Sequence, residues 1–354
     1  MVLAMGCPDE DLWSRSQQKG ILSNTPKVSV ILPIKNAEKY LAHSIQSILN
    51  QTFSDFELII INDSSTDQSL QILSSIQDDR IRLIHLDPQQ GIAAALNKGI
   101  SISKGDYIAR MDADDISVKT RLEKQVRFLN ENLEIGVLGS WIKLFGELPR
   151  THIHKYPVLH DEIRACMLFE NSIGHPTVMF RREIWLRCKL LYSDECKYAE
   201  DWDLWLEFSK VTILHNLPEV LLHYRVHVAS SSICNSELQS KSSCIIQKKF
   251  FDFYGLPYDI KFTSTNLVYS LKMLQELFQY LSILKQLNTS INSRIFERTI
   301  DDFFWKKMSN NKSCNLQLVK FACTHSLSSR SALKLISYLY KYSRNYLAFL
   351  YRRL

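Results

Sequence analysis

Val28-Ser-Val-Ile-Leu-Pro33 is a short β-branched apolar run, and it reads as a strand buried on both faces. Polar residues follow it through Asn36, which is suited to cap a helix whose apolar positions Leu41, Ile45, Ile48 and Leu49 fall at three-and-four spacing. Residues 56–61 form a second such strand. Ser64-Ser-Thr-Asp67 then opens a helix carrying Leu70, Leu73 and Ile76 on one face. Residues 81–86 make a third strand, 92–103 a small-residue helix broken at Gly99, and 107–111 a fourth strand. This alternation predicts an α/β fold with a parallel sheet covered on both faces. Ligands of such sheets bind beyond the carboxyl ends of the strands. Three polar clusters (33–36, 62–67 and 112–115) each sit just past a strand end, so all three are expected on one rim.

Further along, 119–131 is expected to be helical, 136–145 a strand, and 150–235 a mixture of short elements. From 236 the pattern is almost wholly helical. The chain therefore divides into a loosely ordered N-terminal extension (1–26), a catalytic domain (27–235) and a helical, basic C-terminal region (236–354).

The bulk properties bound the function. In 354 residues the apolar share is 45% and the charged share 23%, which is ordinary for a globular protein. The net charge of +6 is local, because ten Lys and Arg and no acid follow Asp302. A nucleic-acid partner is not expected from so uneven a distribution. Eight cysteines lack zinc spacing and read as reduced thiols of a cytoplasmic protein. No run of 18 apolar residues suggests a membrane span, and the first 20 residues lack the apolar centre of a signal peptide. In 331–354, Lys334, Lys341, Arg344 and Arg352 fall opposite Leu335, Ile336, Leu339, Tyr346, Leu347 and Leu350. Such a helix suits either an anionic membrane surface, as a peripheral attachment to its inner face, or docking on the catalytic domain.

Asp112, Asp114 and Asp115 place three carboxylates in four residues after the fourth strand. Two carboxylates about 4 Å apart repel by roughly 4 kcal/mol at an effective dielectric of about 20. A hard divalent cation with oxygen ligands, Mg²⁺ or Mn²⁺, removes that cost and bridges to phosphate. An EF-hand loop would need an acid and a glycine where Ile116 and Ser117 stand. A phosphatase of the haloacid-dehalogenase kind would need Thr or Val in place of Ile116. A solvated acidic turn capping the next helix is the plainer alternative.

Four blocks in order resemble the family 2 glycosyltransferases with a GT-A fold, a Rossmann-like, mostly parallel sheet with helices on both faces. They are Val28-Ser-Val-Ile-Leu-Pro-Ile-Lys-Asn36, Glu57-Leu-Ile-Ile-Ile-Asn-Asp-Ser-Ser-Thr-Asp67, the stretch from Gly91 through Asn97 and Gly105 to Met111-Asp-Ala-Asp-Asp115, and Ala199-Glu-Asp-Trp-Asp-Leu-Trp205 followed by Tyr224-Arg-Val-His227. The resemblance covers about residues 27–230. It implies an inverting, metal-dependent transferase that moves a hexosyl unit from a nucleotide sugar, a UDP-sugar by preference. The acceptor would be a saccharide or lipid-linked saccharide in surface-glycan synthesis.

The resemblance also implies roles. Pro33 and Asn36 would line the base and ribose pocket, and Asp63 would accept the uracil N3–H. Asn97, Arg110, Asp112, Ala113 and Arg225 would face the donor. Asp112 and Asp114, with His227 behind them, would hold a Mn or Mg ion. Asp201 would be the general base, with His175, Glu200 and Trp202 on the acceptor side. One departure concerns the second block. The family's Asp-Asp-Gly-Ser is Asn62-Asp63-Ser64-Ser65 here, so an acid and a permissive glycine are missing. A nucleotide-sugar binder without turnover and a nucleotidyltransferase on a related sheet are the competing classes. The first is hard to square with intact Asp112, Asp114 and Asp201, and the second with the lack of a glycine-rich loop at Pro33-Ile-Lys-Asn36.

Overall fold

The computed structural model describes residues 25–228, 234–259 and 291–309, with positions 276, 280, 281, 283, 284, 286 and 287 between them. Its strands are β1 (Val28–Ile34), β2 (Phe56–Asp63), β3 (Ile81–Leu86), β4 (Tyr107–Arg110), β5 (Ile116–Ser117), β6 (Ile135–Gly146), β7 (His152–His154), β8 (Met179–Arg181) and β9 (Ile213–Val226). The helices are α1 (Leu41–Leu49), α2 (Ser69–Ser74), α3 (Ile92–Ser101), α4 (Arg121–Glu131), α5 (His160–Met167), α6 (Arg182–Arg187), α7 (Glu200–Val211), α8 (Ser236–Phe253) and α9 (Ser293–Ser309). The strands form one sheet in the order β3-β2-β1-β4-β8-β6-β9-β5, with β7 on the side of β6. The first four are parallel, as the strand–helix alternation predicts. Beyond β4 the sheet turns mixed, because β8 runs antiparallel to both β4 and β6.

Both faces of the sheet are covered, and the period of two in β1 and β2 shows how. Val30, Leu32, Leu58 and Ile60 enter one apolar layer with α1 and α4. Ile31, Ile59 and Ile61 enter the other with α3 and α7. That second layer also takes in Ile246, Phe250 and Phe251 of α8 and Phe296, Ile300 and Phe303 of α9. The described helices after residue 235 thus share a core with the strands before it.

Two expectations about local structure are corrected. Gly99 does not break α3. A Cβ there would lie 2.7 Å from Ile31 Cγ2, so the glycine lets an unbroken helix settle on the sheet. Asn36 does not cap α1, which begins only at Leu41. It has a left-handed φ of 48°, and its Oδ1 accepts from the Thr66 N–H at 2.9 Å, tying the loop after β1 to the loop after β2. Ser64 also takes a left-handed φ, 55°, at the position where the family pattern has glycine. Its hydroxyl donates to Leu86 O at 2.7 Å, a bond that offsets the backbone strain.

At the opposite ends of the strands, Gly105 closes the structure. A Cβ on it would meet Ser29 N at 2.5 Å, and its own N–H donates to Ser29 Oγ at 2.9 Å. The basic run 331–354 and residues 1–24 of the N-terminal extension 1–26 lie outside the described residues.

Candidate active site

The turn after β4 is held from several sides before any of its carboxylates finds a partner. Ser44 Oγ of α1 donates to Asp112 O at 2.9 Å, and Ser47 Oγ accepts from the Ser117 N–H at 3.0 Å. Arg121 is fully buried, and its Nη2 donates to Arg110 O at 2.8 Å and Val178 O at 3.3 Å. It therefore fixes the backbone entering the turn and is not a surface charge.

On this base Asp112, Asp114 and Asp115 bring carboxylate oxygens within 4.8 Å of one another. Asp112 Oδ2 accepts from Arg110 Nη1 at 2.5 Å. Asp114 Oδ2 lies 2.9 Å from His227 Nε2. Asp115 is buried, its Oδ1 accepts from the Arg225 N–H at 2.8 Å, and its Oδ2 has no partner. Burial and the charges of Asp112 and Asp114 push the Asp115 carboxyl well above the usual range. Asp112 is raised as well, first by burial, with Arg110 pulling against it and Asp114 adding to it. Crowded, partly desolvated oxygens with one orphan among them form a donor set that suits a hard divalent cation.

Arg225 closes the ring of side chains behind the turn. Its Nε donates to Asp114 O at 2.7 Å, and its guanidinium lies 4.2 Å from the Tyr40 ring centroid and 4.4 Å from that of Phe145. His227 sits against the same Tyr40 ring.

The second acidic group starts α7. Asp201 Oδ1 accepts from the Trp202 N–H at 2.8 Å, and Oδ2 from Asn171 Nδ2 at 2.7 Å. Burial raises its pKa to about 6, against the opposing pull of those donors and of Arg110. Glu200 beside it is raised to about 7, by burial and then by Asp201, and its Oε2 has no partner. His175 Nδ1 is 4.0 Å from Asp201 Oδ2, while its Nε2 is 2.8 Å from Tyr192 Oη. Burial, then the charge of Arg110, holds His175 neutral, with a pKa well below the ordinary value.

Arg110 joins the two groups. It is buried, it bonds Asp112 directly, and its charge acts on Asp201 too. The Tyr192 hydroxyl feels Arg110, Asp201, Glu200 and Asp112, and the Tyr156 hydroxyl feels Asp201 and Asp115. Carboxylates almost ninety positions apart in the chain thus act on the same arginine and the same two tyrosines.

Other expected residues fall differently. Pro33 lies at the end of β1 beside Ile61, on the expected rim, and Ala113 lies within the acidic turn. Asp63 is buried, with its two oxygens accepting from the Gln90 N–H at 2.7 Å and the Gly91 N–H at 3.0 Å, so it pins the loop before α3. The Asn97 amide bonds both the N–H and the C=O of Tyr192, each at 2.9 Å, which clamps the Tyr192 loop to α3. Trp202 is buried, its ring packs against Phe250, and its indole N–H donates to Met167 O at 3.2 Å. Asn171, Tyr156 and Tyr192 had no charge or spacing to mark them. Asn171 at least precedes His175 by four residues, in Asn171-Ser-Ile-Gly-His-Pro176.

The chain matches the model of Glycosyl transferase family 2 over residues 29–188. It is 37% identical over 244 residues to an uncharacterized glycosyltransferase of Haemophilus influenzae, covering 66% of this chain and 76% of that protein. The chain belongs to glycosyltransferase family 2. A second relative, the O-antigen biosynthesis glycosyltransferase WbnJ of Escherichia coli, is 36% identical over 213 residues, 58% of this chain and 81% of that one. The fold is GT-A, shared with S. aureus TarS in complex with UDP-GlcNAc (TM-score 0.51, 17% identity, 88% of this chain and 79% of that one). It is likewise shared with the mannosyltransferase PcManGT of Pyrobaculum calidifontis in complex with GDP-Man and Mn²⁺ (TM-score 0.52, 14% identity, 90% and 87%). As a family 2 member the protein is a glycosyltransferase.

Proposed function

We propose that this glycosyltransferase inverts the anomeric centre, depends on a divalent cation, and moves a hexosyl unit from a UDP-sugar to an acceptor hydroxyl during surface-glycan synthesis. The observation that carries this reading is that the buried Arg110, which bonds Asp112 directly, also acts through its charge on Asp201. A displacement needs a stabilised leaving group on one side of the sugar and a base on the other. The two acidic groups supply those two environments.

Asp201 is the base. Each of its oxygens takes one hydrogen bond from the protein, and a carboxylate oxygen has room to accept another, from the acceptor hydroxyl. A pKa of about 6 leaves it ionised at neutral pH yet stronger as a base than a solvated aspartate. Asn171 fixes the direction of the carboxylate, and His175, kept neutral, supports the same side without competing for charge. No acid is required to protonate the leaving diphosphate, unlike the paired carboxylates of glycosidases. Asp112 and Asp114, with His227 behind Asp114, would hold Mn²⁺ or Mg²⁺. When bound, such an ion supplies the positive charge that offsets the departing diphosphate. Arg225 keeps the Asp114 carbonyl in place for that role.

A donor screen tests the reading. Nucleoside-diphosphate release from a panel of UDP-, GDP- and TDP-sugars, with and without Mn²⁺ or Mg²⁺, should be cation-dependent and greatest for a UDP-sugar. Release that ignores the cation and chelator would overturn it. The basic run 331–354 is proposed to attach the enzyme to anionic membrane. Flotation with vesicles rich in phosphatidylglycerol should lose its membrane fraction when the run is deleted.

A further inference from the structure

A cavity of about 390 Å³ lies between α5 and α9, lined by Glu162, Cys166, Phe169, Glu170, Arg298 and Asp302, among others. Its size falls at the lower end of the range of about 300–1,000 Å³ typical of small-ligand sites. Its floor is apolar. Phe169 and Phe303 stack on each other at 4.1 Å and are nearly inaccessible. Its walls are acidic. The Cys166 thiol reads out that field, since burial and then the charges of Glu170, Asp302 and Glu162 push it up to about 12. Arg298, whose Nη2 donates to Glu162 Oε1 at 2.5 Å, is the single cation among the lining residues.

The cavity is tied to the base by the chain itself. Phe169 and Glu170 form its wall, and the next residue, Asn171, holds Asp201 Oδ2. Pro157, also in the lining, follows Tyr156, whose hydroxyl feels Asp201. Glu170 is exposed, so the cavity opens to solvent at the edge nearest that connection.

We propose that this cavity is a subsite for a saccharide unit of the acceptor, one that is uncharged or carries an amino group. Sugar hydroxyls and ammonium groups donate hydrogen bonds, and carboxylate walls accept them. A phosphate or uronate would meet the net negative charge of the lining, three carboxylates against one guanidinium. The inference rests on the transferase reading above, since it assigns the acceptor to the side of Asn171 and Asp201.

Ligand-observed NMR with the full chain tests it directly. The probes are methyl glycosides of glucose, mannose, galactose, glucosamine and N-acetylglucosamine, with methyl glucuronide as the acidic control. At least one neutral or amino glycoside should give saturation transfer, and the glucuronide should not. Thr299→Trp, which fills the cavity from α9, should abolish the signal. Glu170→Gln, an exposed and nearly isosteric change, should weaken binding about tenfold, the size of one charge-assisted hydrogen bond. Silence from every neutral and amino glycoside, a signal from the glucuronide equal to theirs, or glycoside binding unmoved by Glu170→Gln would each overturn the subsite. UDP binding with Mn²⁺, titrated separately on the wild-type chain, reports the donor side. Its failure would sink the transferase reading, whereas failure of glycoside binding alone sinks only the subsite.

Discussion

The acidic turn after β4 and the acidic start of α7 are both buried enough to raise carboxyl pKa values, yet their neighbours differ in kind. Around the turn the partners are ionic or ionisable: Arg110 on Asp112 and His227 on Asp114, with Arg225 holding the backbone between them. Repulsion among Asp112, Asp114 and Asp115 adds to the burial. Around Asp201 the direct partners are neutral, a backbone N–H and the Asn171 amide, and burial leads. The first environment calls for added positive charge. The second calls for a proton. Two aspartate-rich segments of similar composition are thereby set to different chemical tasks by what surrounds them.

The largest test of this contrast is Asp201→Asn. It should lower kcat for transfer by about 10²–10⁴-fold, the range of general-base catalysis, while UDP binding with Mn²⁺ stays near wild type. Asp114→Ala should cost about 10²–10³-fold, the scale of one lost electrostatic stabiliser, and should weaken cation-dependent nucleotide binding as well. Identical behaviour of the two variants in a nucleotide titration would erase the distinction.

A stability measurement sharpens it without catalysis. In the folded chain Asp201 holds its proton up to about pH 6, against 3.8 for an ordinary aspartate. The folded state therefore binds more protons, and this contribution to stability is full below about pH 4 and lost as pH rises through about 6. Asp201→Asn should stabilise the fold by up to about 3 kcal/mol at about pH 8 and by little at about pH 4, read from denaturant melts. The smallest effect belongs to Asn171→Ala. Losing a donor to the Asp201 carboxylate should reduce kcat about tenfold and move the acid limb of the rate profile to higher pH. An unmoved limb would detach Asn171 from the base.

The contrast also explains what could be read from the chain beforehand. Strands β1 and β2 were legible because buried apolar runs bounded by polar clusters have few other uses. The acidic turn was legible because its charges are consecutive. Much of β9 was not. Pro218 and Glu219 are extruded where Leu217 pairs with Ser140 and Val220 with Trp141, and that bulge interrupts the alternation a strand would show. The backbone bonds of Asn97 and Trp202 were not legible because an amide or an indole serves a backbone clamp as readily as a ligand, and only the packing decides. Asn171 was missed as a partner of Asp201 because a neutral donor thirty positions away leaves no charge pattern to detect.

The hydrogen bond from the Arg225 N–H to Asp115, spanning 110 positions, has a bearing on biosynthesis. A ribosome delivers the aspartate turn long before the strand that completes it. Until β9 emerges and docks, the three carboxylates lack the Arg225 and His227 contacts. A fragment ending before His227 is expected to carry the turn without those contacts, and a loss of cation-dependent nucleotide binding by it would check the proposed role of the turn.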